Sequence, residues 1–87
     1  MAETVGNRKD LNDYSGLKPG EYGKDSRDGN WYACTPNGMF GSLTGHDVTE
    51  NEDGTITVSP SILVTYDGTN GHEEWHGYLE RGVWREA

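Results

Sequence analysis

The sequence predicts an all-β protein: a small antiparallel sheet rolled into a compact barrel or sandwich of roughly four to six short strands, with a poorly structured N-terminal arm. Three observations carry this expectation. From Asn30 onward, short β-branched and aromatic runs are separated by turns rich in Gly, Asn and Asp, which is the pattern of hairpin-linked strands. The run "TITVSPSILVTY" alternates, with Ile56, Val58, Pro60, Ile62, Val64 and Tyr66 on even positions and Thr55, Thr57, Ser59, Ser61 and Thr65 between them. No window of about eleven residues gathers apolar side chains on one helical face.

The chain divides at Asn30. Residues 1–29 contain five basic and six acidic residues, a net of −1, and residues 30–87 contain two basic and nine acidic, a net of −7. The first segment has no period of 3.6 or 2 and is rich in Gly, Asp, Asn and Ser, so it reads as a flexible or extended arm. Its anchors are Leu11, Tyr14, Leu17 and Tyr22, and "KPG" would end any helical turn begun by the first three. The second segment, residues 30–87, reads as the β domain. There "NWYACT" and "MFGSLT" flank the turn "PNG", and "HDVTE" turns back through "NEDG" into the long strand. "DGTNG" then leads to "HEEWHGYLE", and "RG" leads to "VWRE". Residues 46–50 are expected to pair with 55–58, and 61–66 with 73–80. Pro60 cannot donate to a ladder, which places it at a corner, an edge or a bulge. Leu63 breaks the alternation and suggests that part of the second face is also covered.

Eighty-seven residues set one domain as the default, with a core small enough that a partner or a second copy would add useful stability. A net charge of −8 argues against direct nucleic-acid binding, which needs Lys and Arg against the phosphates. Cys34 is the only cysteine; it excludes an internal disulfide and a Cys₄ or Cys₂His₂ zinc site, and it reads as a buried structural thiol. With no apolar leader and no apolar run near the roughly 20 residues of a membrane span, the expected location is the cytoplasm.

"HEEWH", residues 72–76, has the letters of the zinc-protease motif H-E-x-x-H. That motif needs both histidines on one helical face, about 6 Å apart. In a strand they would stand about 13 Å apart at roughly 3.3 Å per residue, too far for one Zn²⁺. A looser metal site using His46 and His76 is the weaker alternative, and no metal or other cofactor is assigned. The carboxylates Glu50, Glu52 and Asp53, and Asp67, Glu73 and Glu74, cluster at two hairpin tips, where solvation is their ordinary role. "DGTNG" lacks the ligand spacing of an EF-hand. No pairing of acid, base and nucleophile identifies an enzyme.

Aromatics are dense at both ends of the second segment. Alternation separates Trp75 and Leu79, expected in the core, from His76 and Tyr78, expected on the surface beside Glu74 and Glu80. The candidate binding residues are Trp31, Tyr32, Glu73, Glu74, His76 and Tyr78.

"HDVTENEDGTITVSPSI", His46 through Ile62, and "WHGYLERGVW", Trp75 through Trp84, resemble a family of small proteins encoded by bacteriophages and by prophage-carrying bacterial genomes. Its members share an H-x-V-T-E-x-x-D-G-T-I-T-V-x-P-S-I stretch followed by W-H-G-Y-L-x-x-G-x-W. The resemblance covers about a third of the chain and brings no assigned activity. It implies an all-β fold, a phage or prophage context and a site of action in the bacterial cytoplasm.

Charge, size and resemblance together point to a non-enzymatic accessory protein. It would bind a host or phage protein through an acidic, aromatic-containing surface, as an inhibitor of a host defence or nucleic-acid enzyme would. The alternatives are a virion structural or assembly component, which would form homo-oligomers, and a small-molecule (nucleotide) binding protein.

Overall fold

In the computed structural model of the chain, residues 3–10, 16–68 and 71–87 are described. They form two packed sheets without a helix. The strands in chain order are β1 (Glu3–Val5), β2 (Asn7–Arg8), β3 (Glu21–Lys24), β4 (Trp31–Cys34), β5 (Phe40–Ser42), β6 (Asp47–Glu50), β7 (Ile56–Gly68), β8 (Gly71–Glu80) and β9 (Val83–Glu86). The larger sheet has the order β1-β9-β8-β7-β6 and the smaller β2-β3-β4-β5. Every pairing is antiparallel except β2 with β3, which is parallel. The all-β class and the sandwich expectation describe this architecture; the barrel is not closed, because β5 and β6 remain edges of different sheets.

The segment expected to be a loose arm differs from that expectation. It contributes three of the nine strands among the described residues, and the boundary drawn at Asn30 falls inside the β3–β4 hairpin. Composition hides this because the segment has few apolar anchors; the backbone does the work instead. β1 adds to β9 in register Glu3↔Arg85 and Val5↔Val83, and two residues later β2 adds to β3. Gly6 is the crossing point between sheets. A Cβ there would stand 2.8 Å from the Gly20 carbonyl oxygen and 2.9 Å from the Trp84 indole nitrogen, so only glycine lets the chain pass so close to the core. Tyr22 is 1% exposed. Leu17 is half-buried; Leu11 and Tyr14 lie outside the described residues.

The core lies between the sheets. Trp84, Trp75, Leu79, Ile56, Val58 and Ile62 from the larger sheet meet Tyr22 and Ala33 from the smaller, with Leu43 from the loop after β5. Trp75 and Trp84 pack edge to face with centroids 5.3 Å apart. The Trp84 Nε1–H donates to the Gly20 carbonyl at 2.9 Å, which satisfies the indole inside the core and ties the smaller sheet to the larger. Asp25, fully buried, accepts from the Arg27 backbone N–H at 2.8 Å and pairs with the Arg27 guanidinium at 3.2 Å.

The long strand shows where its alternation breaks. β6 pairs with Ile56–Ser59, and β8 pairs with Val58 and then again from Ile62, so residues 59–61 bulge out around Pro60, whose peptide bond is cis. Four residues advance on β7 while Leu79 gives way to Gly77 on β8. Even positions therefore stay inward on both sides of the bulge, while Pro60 itself is exposed. The bulge takes β7 away from β6. Beyond it, among the described residues, Val64–Gly68 and Gly71–Trp75 pair only with each other, as a two-stranded arm, while His76 and Gly77 also meet the chain at the end of β9.

Candidate binding surface

Alternation along β8 sorts its side chains. Trp75, Gly77 and Leu79 face the core, and Glu74, His76, Tyr78 and Glu80 face out, as the sequence pattern predicts. "HEEWH" accordingly lies on an extended strand, the geometry that separates its two histidine positions. The side chain of His72 and the tip of "DGTNG" lie outside the described residues. Among the described residues no three His, Cys, Asp or Glu side chains gather around a common point.

The outer face of the larger sheet is built by cross-strand register. Leu63 stands opposite His76, Thr65 opposite Glu74, and Tyr78 opposite Arg85, with Val5 opposite Val83 at the far edge. Residues opposite one another share a face, so Leu63, His76, Tyr78, Arg85 and Val83 make a diagonal band across it. Leu63 is 57% exposed and Val5 76%. Leu63 therefore does not mark a covered second face: it is an apolar side chain left open to solvent. The His76 Nε2 is 3.0 Å from the Ser61 hydroxyl, its ring centroid 6.5 Å from that of Tyr78. The Arg85 guanidinium lies 5.5 Å over the Tyr78 ring and pairs with Glu80. The one cation in the band is thus held by a carboxylate and an aromatic face, and Glu74 and Glu80 flank it.

The structure separates the other candidates from this face. Trp31 belongs to the smaller sheet and is half-buried, with the Arg8 guanidinium 5.0 Å and the Lys24 ammonium 6.0 Å from its ring. Two cations of the chain itself already lie against its ring. Tyr32 is buried; its hydroxyl donates to Asp28 at 2.6 Å and its ring stacks on Phe40 at 5.8 Å. These two side chains hold structure. Glu73 is exposed but on the opposite side of β8 from Glu74, facing Tyr66 across the strands. It helps line a groove of about 330 Å³ between the β4–β5 turn (Asn37–Phe40) and the arm (Val64–Tyr66). Tyr66 is 62% exposed there.

Sequence reasoning missed Leu63, Tyr66, Phe40 and Arg85. The signal for Leu63 was available, because it is the sole apolar residue on the polar side of β7; Phe40 and Tyr66 could be found only from which elements end beside them. His46 is a further case. It is half-buried in the loop before β6, its Nε2 lies 3.3 Å from the Ser61 carbonyl oxygen, and its Nδ1 is buried. His46 and His76 therefore both meet Ser61, one at the backbone and one at the side chain. Cys34 is buried, and burial first, with the Glu21 charge second, pushes its thiol pKa up, opposite to what a nucleophilic cysteine requires.

No helix of the described residues is long and apolar enough to cross a membrane. No family model, curated protein or solved structure matches the chain.

Proposed function

We propose that the chain is a non-enzymatic binding module that docks on a host or phage protein in the bacterial cytoplasm. It uses the outer face of the β7–β8 hairpin, and inhibition of a host defence or nucleic-acid enzyme is the class of outcome that suits it. The observation that supports this most is the open apolar and aromatic band of Leu63, His76 and Tyr78, rimmed by Glu74 and Glu80 on the larger sheet. Exposed aromatics fixed on a sheet give contact area at little cost in side-chain entropy, and such residues concentrate binding energy. The charge of −8 favours a basic partner and raises the encounter rate at low salt. The phage context comes from the resemblance of His46–Ile62 and Trp75–Trp84 and is part of the proposal. The assembly alternative has a specific support in the free edges β5 and β6, since edges are where copies of a small sheet join.

The test is affinity capture from bacterial lysate with the tagged chain, in parallel at low and high salt, the eluate being weighed as intact proteins. A stoichiometric protein held at low salt and released at high salt is the expected result. Capture of nothing in host and phage-infected lysates alike, with self-association in sedimentation, would replace this reading with assembly.

A further inference from the structure

Two free strand edges border one groove. In an antiparallel ladder, successive residues alternate between pointing their N–H and C=O at the partner strand and away from it. On β5 the phase is fixed by two bonds: Leu43 N–H donates to Trp31 O, and Thr35 N–H to Met39 O, both at 2.9 Å. Met39, Gly41 and Leu43 therefore face β4, and Phe40 and Ser42 present their backbone groups outward. On β7 the phase follows from Ala87 N–H donating to His76 O at 2.9 Å. His76 thus points its backbone away from β7, and its partner Leu63 points its own away from β8. Thr65, two residues on, does the same. At the bulge, just before this stretch, the Ser61 carbonyl meets His46 Nε2 at 3.3 Å.

The open sides of β5 and of the β7 arm belong to one cleft. The groove of about 330 Å³ is lined by Met39 and Phe40 on one wall and Val64, Thr65 and Tyr66 on the other. Val64 also lines a second, smaller slit of about 30 Å³, which has Gly41, Ser42, Leu63 and His46 in its wall. A Cβ on Gly41 would meet nothing within 4 Å, so the face of β5 beside the slit is open there. The bulge at residues 59–61 is what makes the cleft, because it ends the β6 pairing and leaves the arm's edge bare.

We infer that this cleft is a strand-addition site, which takes an extended, lysine-bearing apolar segment of a partner protein. Rows of outward backbone donors and acceptors are satisfied by another backbone, the chemistry of β-augmentation. The apolar walls at Met39, Val64 and Tyr66 take alternate side chains of the added strand. Glu73 is the charged group in the lining, so a cation belongs beside it. A second copy of this chain fits poorly, since two chains of −8 repel one another. The inference rests on reading the chain as a protein-binding module, but it does not depend on the side chains of His76 and Tyr78.

The test is amide hydrogen exchange on the intact protein, alone and with a synthetic peptide alternating valine and threonine between lysines. A control peptide is N-methylated at alternate nitrogens. Alone, the Phe40, Ser42, Leu63 and Thr65 amides exchange fast while Gly41 is protected. The peptide slows those four by about tenfold or more, and the methylated peptide does not. Thr65→Pro and Ser42→Pro each remove one outward N–H without touching a ladder bond, and each weakens peptide binding about tenfold, while Val5→Ala, exposed on β1 and outside the cleft, does not. Absence of peptide binding, or protection at β6 or β1 instead, overturns the strand-addition site. Protection of the four amides that appears only with protein concentration, without peptide, overturns it in favour of a second copy. A captured protein that Thr65→Pro leaves bound and Tyr78→Ala releases overturns this site while leaving the binding-module reading standing.

Discussion

Arg8 and Glu50, 42 positions apart in sequence, meet at 2.6 Å between Nη1 and Oε2. The same nitrogen reaches the Gly54 carbonyl at 3.1 Å, the Nε and Nη2 fork onto Asp10, and the guanidinium covers Trp31. One side chain therefore clips the N-terminal segment to the tip of the β6–β7 hairpin. Hydrogen bonds to Asp10 first and Glu50 second push its pKa up.

Replacing Arg8 by Met should cost about 1–2 kcal/mol, the sum of partly exposed ion pairs and a cation–π contact. The midpoint of thermal unfolding would then fall by roughly 5–10 °C. A calorimetric scan showing no shift would mean that the clip contributes nothing.

Asp10 gives this clip a pH dependence. The Arg8 hydrogen bond holds its carboxyl below the usual carboxylate range. Its contribution is thus present above the unfolded value near ~3.9 and is lost as pH falls through the lower folded value. The contribution is small because the side chain is more than half exposed. Urea midpoints between about pH 4 and pH 2 should fall more steeply for the wild type than for Asp10→Asn; parallel curves would rule this out.

Trp84→Phe removes the Nε1–H that the buried Gly20 carbonyl accepts and opens space beside Trp75. An unpaired carbonyl and a cavity together should cost about 2–4 kcal/mol. Chemical denaturation measures it, and a loss under about 0.5 kcal/mol would contradict the tie between the sheets.

Cys34 lies 3% exposed in β4 with its thiol pKa pushed up by burial. Iodoacetamide at neutral pH should label it slowly in the folded protein and fast in denaturant. Equal rates would place the thiol at the surface.

Much of this fold was legible from β-branched runs, turn residues and period-2 alternation. β4 through β9 fall where the punctuation put them, and the inward and outward sets of β8 are those its pattern gave. The strands β1, β2 and β3 were not legible, because they are held by backbone pairing and by single contacts such as Arg8 with Glu50, which leave no periodic trace. Pro60 announced a break in β7, but its result, an arm with a bare edge, depends on which strand stops where. Of the candidate surface, His76, Tyr78 and Glu74 could be read from alternation. Trp31 and Tyr32 could not be assigned, because whether an aromatic is covered depends on the segment that folds over it.

The central claim is that the outer face of β7–β8 binds a protein, and the most direct measurement is parallel capture with wild type and the double variant Leu63→Ser, Tyr78→Ala. Both side chains are exposed, so the variant should unfold at the same temperature as the wild type. The account predicts that the wild type retains a salt-sensitive protein partner, and that the variant loses it by tenfold or more in affinity, about 1.4 kcal/mol. A partner held equally by both proteins would contradict it.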